Sequence, residues 1–104
     1  MERYFIISIN GKKAMEIARE FCGGYCYRKI RTHGKVLAQL EPVLTGDDDG
    51  DNWIDVSYIK TGKDVERTLS ALAKIGFSGC PCVIAEETGN GCFPDQNELC
   101  CMVI

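Results

Sequence analysis

The side chains with the most chemistry to offer are the thiols of the tail. Gly76 to Ile104 holds five of the seven cysteines, Cys80, Cys82, Cys92, Cys100 and Cys101. Thiolates at the right spacing bind zinc, and the spacings here are Cys22-x3-Cys26, Cys80-x-Cys82, Cys92-x7-Cys100 and the adjacent pair Cys100-Cys101. The C-x2-C knuckle of structural zinc sites is missing. Neighbours on a strand point to opposite faces, so Cys100 and Cys101 make a poor pair for one ion. Cys80 and Cys82, flanking Pro81, share a face and can meet Cys92 and one of Cys100 or Cys101. A thiol or zinc site in the tail is therefore an alternative reading. Cysteine is also a small hydrophobe found mostly buried, and that explains the same residues without a metal or cofactor.

Redox and nucleophilic chemistry ask more of a thiol than its presence. Gly79-Cys80-Pro81-Cys82 resembles a thioredoxin redox motif short of one residue, and no helix follows at once to lower a thiolate pKa through its dipole. The one histidine, His33, falls in an expected hairpin turn and is the only candidate base for a Cys–His dyad. Cys101-Met102-Val103-Ile104 matches the C-a-a-X prenylation pattern. Asp95-Gln96-Asn97-Glu98 before it is acidic where a second membrane signal would be basic, so a closing core strand explains it better. There is no phosphate-cradling glycine loop, HExxH, GxSxG or paired-carboxylate signature. No motif is specific enough to name a reaction, and the chain is expected not to be an enzyme.

Two stretches of opposite charge stand out. Asp47, Asp48, Asp49 and Asp51 crowd the loop before Asn52. Aligned on a calcium-binding loop, Asn52 replaces the turn glycine and Tyr58 falls where the bidentate glutamate is required. A charged hairpin loop is the better account, with docking on a basic partner surface as its functional form. The segment Tyr25 to Lys35 is its counterpart, with Tyr27, Arg28, Lys29 and Arg31 as partner-binding candidates. Tyr25, Tyr27, Lys29 and Arg31 share one face, which would suit single-stranded nucleic acid on an open sheet. The RNP aromatic pattern is absent, and the aspartate loop repels phosphate.

The totals set the frame for these segments. A chain of 104 residues with 45% hydrophobic and 26% charged residues is one domain, residues 1–104, able to bury a core without staples. A net charge of −3 disfavours a dedicated nucleic-acid binder. The N-terminus lacks the look of a signal peptide and no apolar run is long enough to span a membrane. A cytoplasmic location with reduced thiols is expected, and an odd number of cysteines rules out full intramolecular pairing.

The elements that must position these residues follow from periodicity. Arg3 to Ile9 carries bulky groups on both faces, as a central strand does. Asn10 is the expected N-cap of a helix over Lys12 to Cys22, whose stripe is Ala14, Ile17, Ala18 and Phe21 and whose stop is Gly23-Gly24. A hairpin follows, Tyr25 to Thr32 and Lys35 to Leu44 around the turn His33-Gly34, with Val36, Ala38 and Leu40 on one face. Pro42 cannot donate to a ladder and marks an edge or bulge. Trp53 to Ile59 is a strand with Ile54, Val56 and Tyr58 on one face. Thr61-Gly62-Lys63-Asp64 is a capping signature opening a second helix, with Val65, Leu69, Leu72 and Ala73 as its stripe and Gly76 as its end. Cys82 to Ala85 and Leu99 to Ile104 are the last strands.

This order, β-α-β-β-β-α-β-β, predicts an α+β two-layer sandwich in which two helices cover one face of a mostly antiparallel sheet of five or six strands. It resembles the ferredoxin-like split βαβ arrangement with added strands, a pattern of elements that hosts many unrelated functions. The expected role is a small protein-interaction or regulatory domain working through its charged hairpins. Phage and mobile-element inhibitors of host systems are often of this size and character. A protein partner is expected, with single-stranded nucleic acid on Tyr25, Tyr27, Lys29 and Arg31 as the disfavoured alternative, and no membrane.

Overall fold

Bulky side chains on both faces of the first strand reflect its place in the middle of a sheet. The computed structural model describes residues 3–24, 26–44, 52–88 and 96–104. In it β1 (Arg3–Asn10) is followed by α1 (Lys12–Cys22), β2 (Arg28–Thr32), β3 (Lys35–Val43), β4 (Trp53–Ile59), α2 (Gly62–Leu72), β5 (Pro81–Thr88) and β6 (Gln96–Val103). The six strands form one sheet in the order β2-β3-β4-β1-β5-β6, and every neighbouring pair is antiparallel. The α+β architecture expected from the sequence is present.

Register lines the apolar residues up in rows under the helices. Ile7 stands opposite Val56 on one side and Ile84 on the other, and Val56 in turn opposes Leu40. Ile9 bridges Ile54 and Cys82 in the same way. Ile7, Ile9, Leu40, Ile54, Val56, Ile59, Leu72 and Phe77 are sealed from solvent, and each contributes about 1.5–3 kcal/mol on burial. The two helices meet over this face: α2 runs on into a wider π-helical turn, Ala73–Phe77, that packs on α1. Gly76 makes the bend in this turn. It sits at φ 131°, a backbone conformation that strains any residue with a Cβ.

Several local expectations hold. Thr61 caps α2, its hydroxyl accepting from the Asp64 N–H at 3.1 Å. His33 and Gly34 form a two-residue turn with φ of 51° and 77°, the paired left-handed geometry that suits a tight hairpin. Pro42 lies beyond the last pairing of β2, which begins at Arg28 opposite Leu40, so its missing N–H costs no ladder bond on that side.

Others need correction. Asn10 does not cap α1. It is the last residue of β1, and Gly11 (φ 120°) takes the N-cap without a side-chain bond. Val36 is exposed while Leu37, Ala38 and Leu40 are buried, because a bulge between Ile30 and Arg31 shifts the β2–β3 register. Tyr58 likewise leaves the face of Ile54 and Val56. Its φ of 64° and a register shift in the β1–β4 pair deliver Ile59 to the core, and Tyr58 meets Tyr4 edge-to-face at 6.3 Å on the open side. In α2 the buried set is Val65, Thr68 and Leu72. Thr68 is admitted because its hydroxyl donates to the Asp64 carbonyl at 2.6 Å. The first hairpin strand starts at Arg28, three residues later than expected, and the two tail strands are longer than expected.

Candidate functional site

β2 ends the sheet, and its short run Arg-Lys-Ile-Arg-Thr has one buried residue, Ile30, at 2% exposure. That isoleucine turns toward the helices, and alternation sends Lys29 and Arg31 to the other face. Beneath the edge run α2 and the π-helical turn that continues it, which together present Arg67, Ser70, Ala71 and Lys74. Those positions fall at i, i+3, i+4 and i+7, on one helix face. Between strand and helix lies an open groove of about 1000 Å³, lined by Tyr27 to His33 from the hairpin, by that helix face, and by Phe21 and Ile75.

The groove is cationic throughout. Five Lys and Arg residues and His33 line it, with Lys29 and Arg31 reaching it at the strand edge, and among the described residues no Asp or Glu does. They are not equivalent. Arg28 is held in place: its Nη1 donates to the Phe21 carbonyl at 2.7 Å and its guanidinium lies 4.5 Å from the Phe21 ring centre. It therefore neutralises the carbonyl end of α1 and ties the start of β2 to that helix. Its charge also acts on Cys22, whose thiol is pushed up by burial and pulled back in part by Arg28. Cys22 is a protonated core filler at neutral pH. Arg67 pairs with Asp64 at 3.3 Å, exposed to solvent. Among the described residues Lys29, Arg31 and Lys74 have no carboxylate partner, and they are the cations free for a ligand.

Of the sequence-derived candidates, the structure brings Tyr27, Arg28, Lys29 and Arg31 together along this groove. Tyr25 and the aspartate loop Asp47, Asp48, Asp49 and Asp51 lie outside the described residues. Arg67 and Lys74 escaped the sequence reading. Their signal was seven-residue spacing with Ser70 and Ala71 between, on the polar side of an amphipathic helix.

The tail thiols divide. Cys80 and Cys82 are buried, and Cys26 and Cys101 are exposed. Cys92 and the side chain of Cys100 are outside the described residues. Among those described, no three His, Cys, Asp or Glu residues converge as metal ligands. Ile104 is tied to the segment before β5: its N–H donates to the Cys80 carbonyl at 2.9 Å, and the Gly79 N–H donates to the Ile104 carbonyl at 2.8 Å. Among the described residues no helix is long and apolar enough to cross a membrane.

The sheet face away from the helices carries a second polar group that spacing did not disclose. Asp55 opposes Ser8 on one neighbouring strand and Glu41 on the other. Ser8 Oγ donates to Asp55 Oδ1 at 3.2 Å. Partial burial pushes the Asp55 carboxyl above the usual carboxylate range. Hydrogen bonds from the Ser8 and Trp53 side chains pull it back, and the charge of Glu41 pushes it up again.

No protein-family model matches the chain, and neither a curated protein nor a solved structure matches it.

Proposed function

We propose that the chain is a cytosolic, non-enzymatic protein-interaction domain that receives an acidic segment of a partner protein in the groove between β2 and α2. A small inhibitor or regulatory module works in this way. The observation that carries the reading is the lining: five permanent cations and His33 with no carboxylate among the described residues, in a chain of net charge −3. Phosphate shares that complementarity, but single strands also need successive rings to stack on. Here Arg28 covers Phe21, which leaves Tyr27, half exposed, as the available ring among the described residues of the groove.

The test is fluorescence anisotropy with a labelled peptide alternating Glu and Val. Binding is expected to weaken as salt rises from about 0.01 M to about 0.15 M, where the Debye length falls from about 30 Å to about 8 Å. Arg31→Glu and Lys74→Glu should each weaken it at least about fivefold at low salt, since each turns an attraction into a repulsion. Equal binding by parent and both variants would sink the reading.

A further inference from the structure

We infer that the acidic segment binds as an added β-strand, its backbone paired to the free edge of β2 and its side chains laid against α2. The inference rests on the interaction reading above and specifies its geometry. β2 closes the sheet order, so alternate backbone N–H and C=O groups along Arg28–Thr32 face outward with no strand beside them among the described residues. Such a row is a template for another chain, and proteins guard it with short strands, bulges and charge. β2 has all three guards. It is five residues long, its pairing carries a bulge, and three of its residues are Arg or Lys. Cationic guards repel a second copy of the same edge and admit an acidic strand. The opposite edge, β6, has the sequence QNELCCMV with a carboxylate and no cation, so the two edges do not compete for the same ligand.

The edge is also preorganised, which lowers the ordering cost of binding. The His33-Gly34 turn holds one end, Arg28 on the Phe21 carbonyl holds the other, and buried Ile30 pins the middle. Strand addition into a groove between an edge strand and a helix is an established mode of peptide recognition, with backbone bonds supplying affinity and alternate side chains supplying specificity. Five edge residues accept about five ligand residues, roughly 17 Å at about 3.3 Å each. Ligand side chains turned inward meet Ser70 and Ala71, small residues that leave depth between Arg67 and Lys74. Those turned outward come alongside Lys29 and Arg31. The preferred ligand is an extended stretch in which Asp or Glu recurs on both faces and no residue is too bulky for the Ala71 floor.

The experiment uses the whole chain, the Glu-Val peptide, and two forms of it N-methylated at alternate backbone amides, one set for each edge of the ligand strand. Both forms keep every charge. One of them should bind at least about tenfold more weakly, having lost two or more strand hydrogen bonds, while the other binds like the parent. Hydrogen exchange at alternate amides of residues 28–32 should slow when the parent peptide is added. If both methylated forms bind as tightly as the parent and the β2 amides are unchanged, strand addition is wrong while the electrostatic reading stands. If the peptide fails to bind at low salt, both readings fall. Tighter binding of a mixed-sequence single-stranded oligonucleotide, lost in Arg31→Glu, would also overturn both, in favour of nucleic acid. Sedimentation showing self-association that Arg31→Glu abolishes would overturn both, in favour of a second copy.

Discussion

Arg28→Ala separates the groove cation that holds the fold from those that are free to bind. Three contributions vanish with the guanidinium. Stacking over the Phe21 ring at 4.5 Å contributes about 0.5–1 kcal/mol at an exposed site. The 2.7 Å bond to the Phe21 carbonyl involves a charged donor but is open to solvent, and about 0.5–1 kcal/mol is a fair discount on the buried figure. Neutralising the end of α1 contributes a few tenths more. The expected loss is about 1–2 kcal/mol, a fall of about 5–15 °C in Tm for a domain of this size. Arg31→Ala and Lys74→Ala touch no comparable partner and should stay within about 0.5 kcal/mol of the parent. The assay is thermal unfolding followed by circular dichroism on the four proteins side by side, with Arg28→Lys as the variant that keeps the charge and loses the planar stack. An Arg28→Ala protein that melts with the parent, or an Arg31→Ala protein that falls as far, would refute the division of labour.

Two further outcomes are open to measurement. Phe77, the largest fully buried side chain among the described residues, should cost about 3–5 kcal/mol as Phe77→Ala; a urea midpoint shifted by less than about 1 kcal/mol equivalent would contradict its place in the core. Asp55 has a carboxyl raised by burial, so its contribution favours the fold below the ordinary carboxylate pKa and is lost as pH rises through the raised value. Asp55→Asn should therefore melt higher than the parent at pH 7, with the gap closing as the pH approaches about 4, and a gap independent of pH would count against the cause given.

Much of this fold is legible in the chain because local chemistry and tertiary packing agree. Thr61 with Asp64 announces a helix start and the hydroxyl makes the capping bond. His33-Gly34 announces a tight hairpin and both residues take the left-handed conformation. The failures sit at bulges. Strict alternation puts Val36 and Tyr58 inside, but one extra residue in a strand reverses every later side chain, and nothing in the types of Leu37 or Ser57 signals where the extra residue falls. Asn10 fails for a different reason: pairing with Trp53 holds it in the strand, and Gly11 alone can make the turn into α1. Half of the candidate site was visible, since Tyr27 to Arg31 are contiguous. The other half comes from α2, more than thirty residues away in the chain, and only the sheet order brings the two together.

That convergence changes what the net charge means. A chain of net charge −3 contains 12 Lys and Arg against 15 Asp and Glu. Five of the basic residues, Arg28, Lys29, Arg31, Arg67 and Lys74, line the groove. With those set aside, seven Lys and Arg remain against all 15 acids, so the rest of the molecule carries −8. Charge of one sign gathered in a concave site, with the opposite sign elsewhere, orients an approaching acidic segment and repels it from the wrong surface. Total charge is a poor guide to such a protein, because the average hides the separation. The residues that matter are those unpaired among the described residues: Arg28 is committed to α1 and Arg67 to Asp64, which leaves Lys29, Arg31 and Lys74 around a strand edge with no described strand beside it. In the binding mode we propose, charge brings the acidic segment to the groove and backbone pairing fixes its register once there.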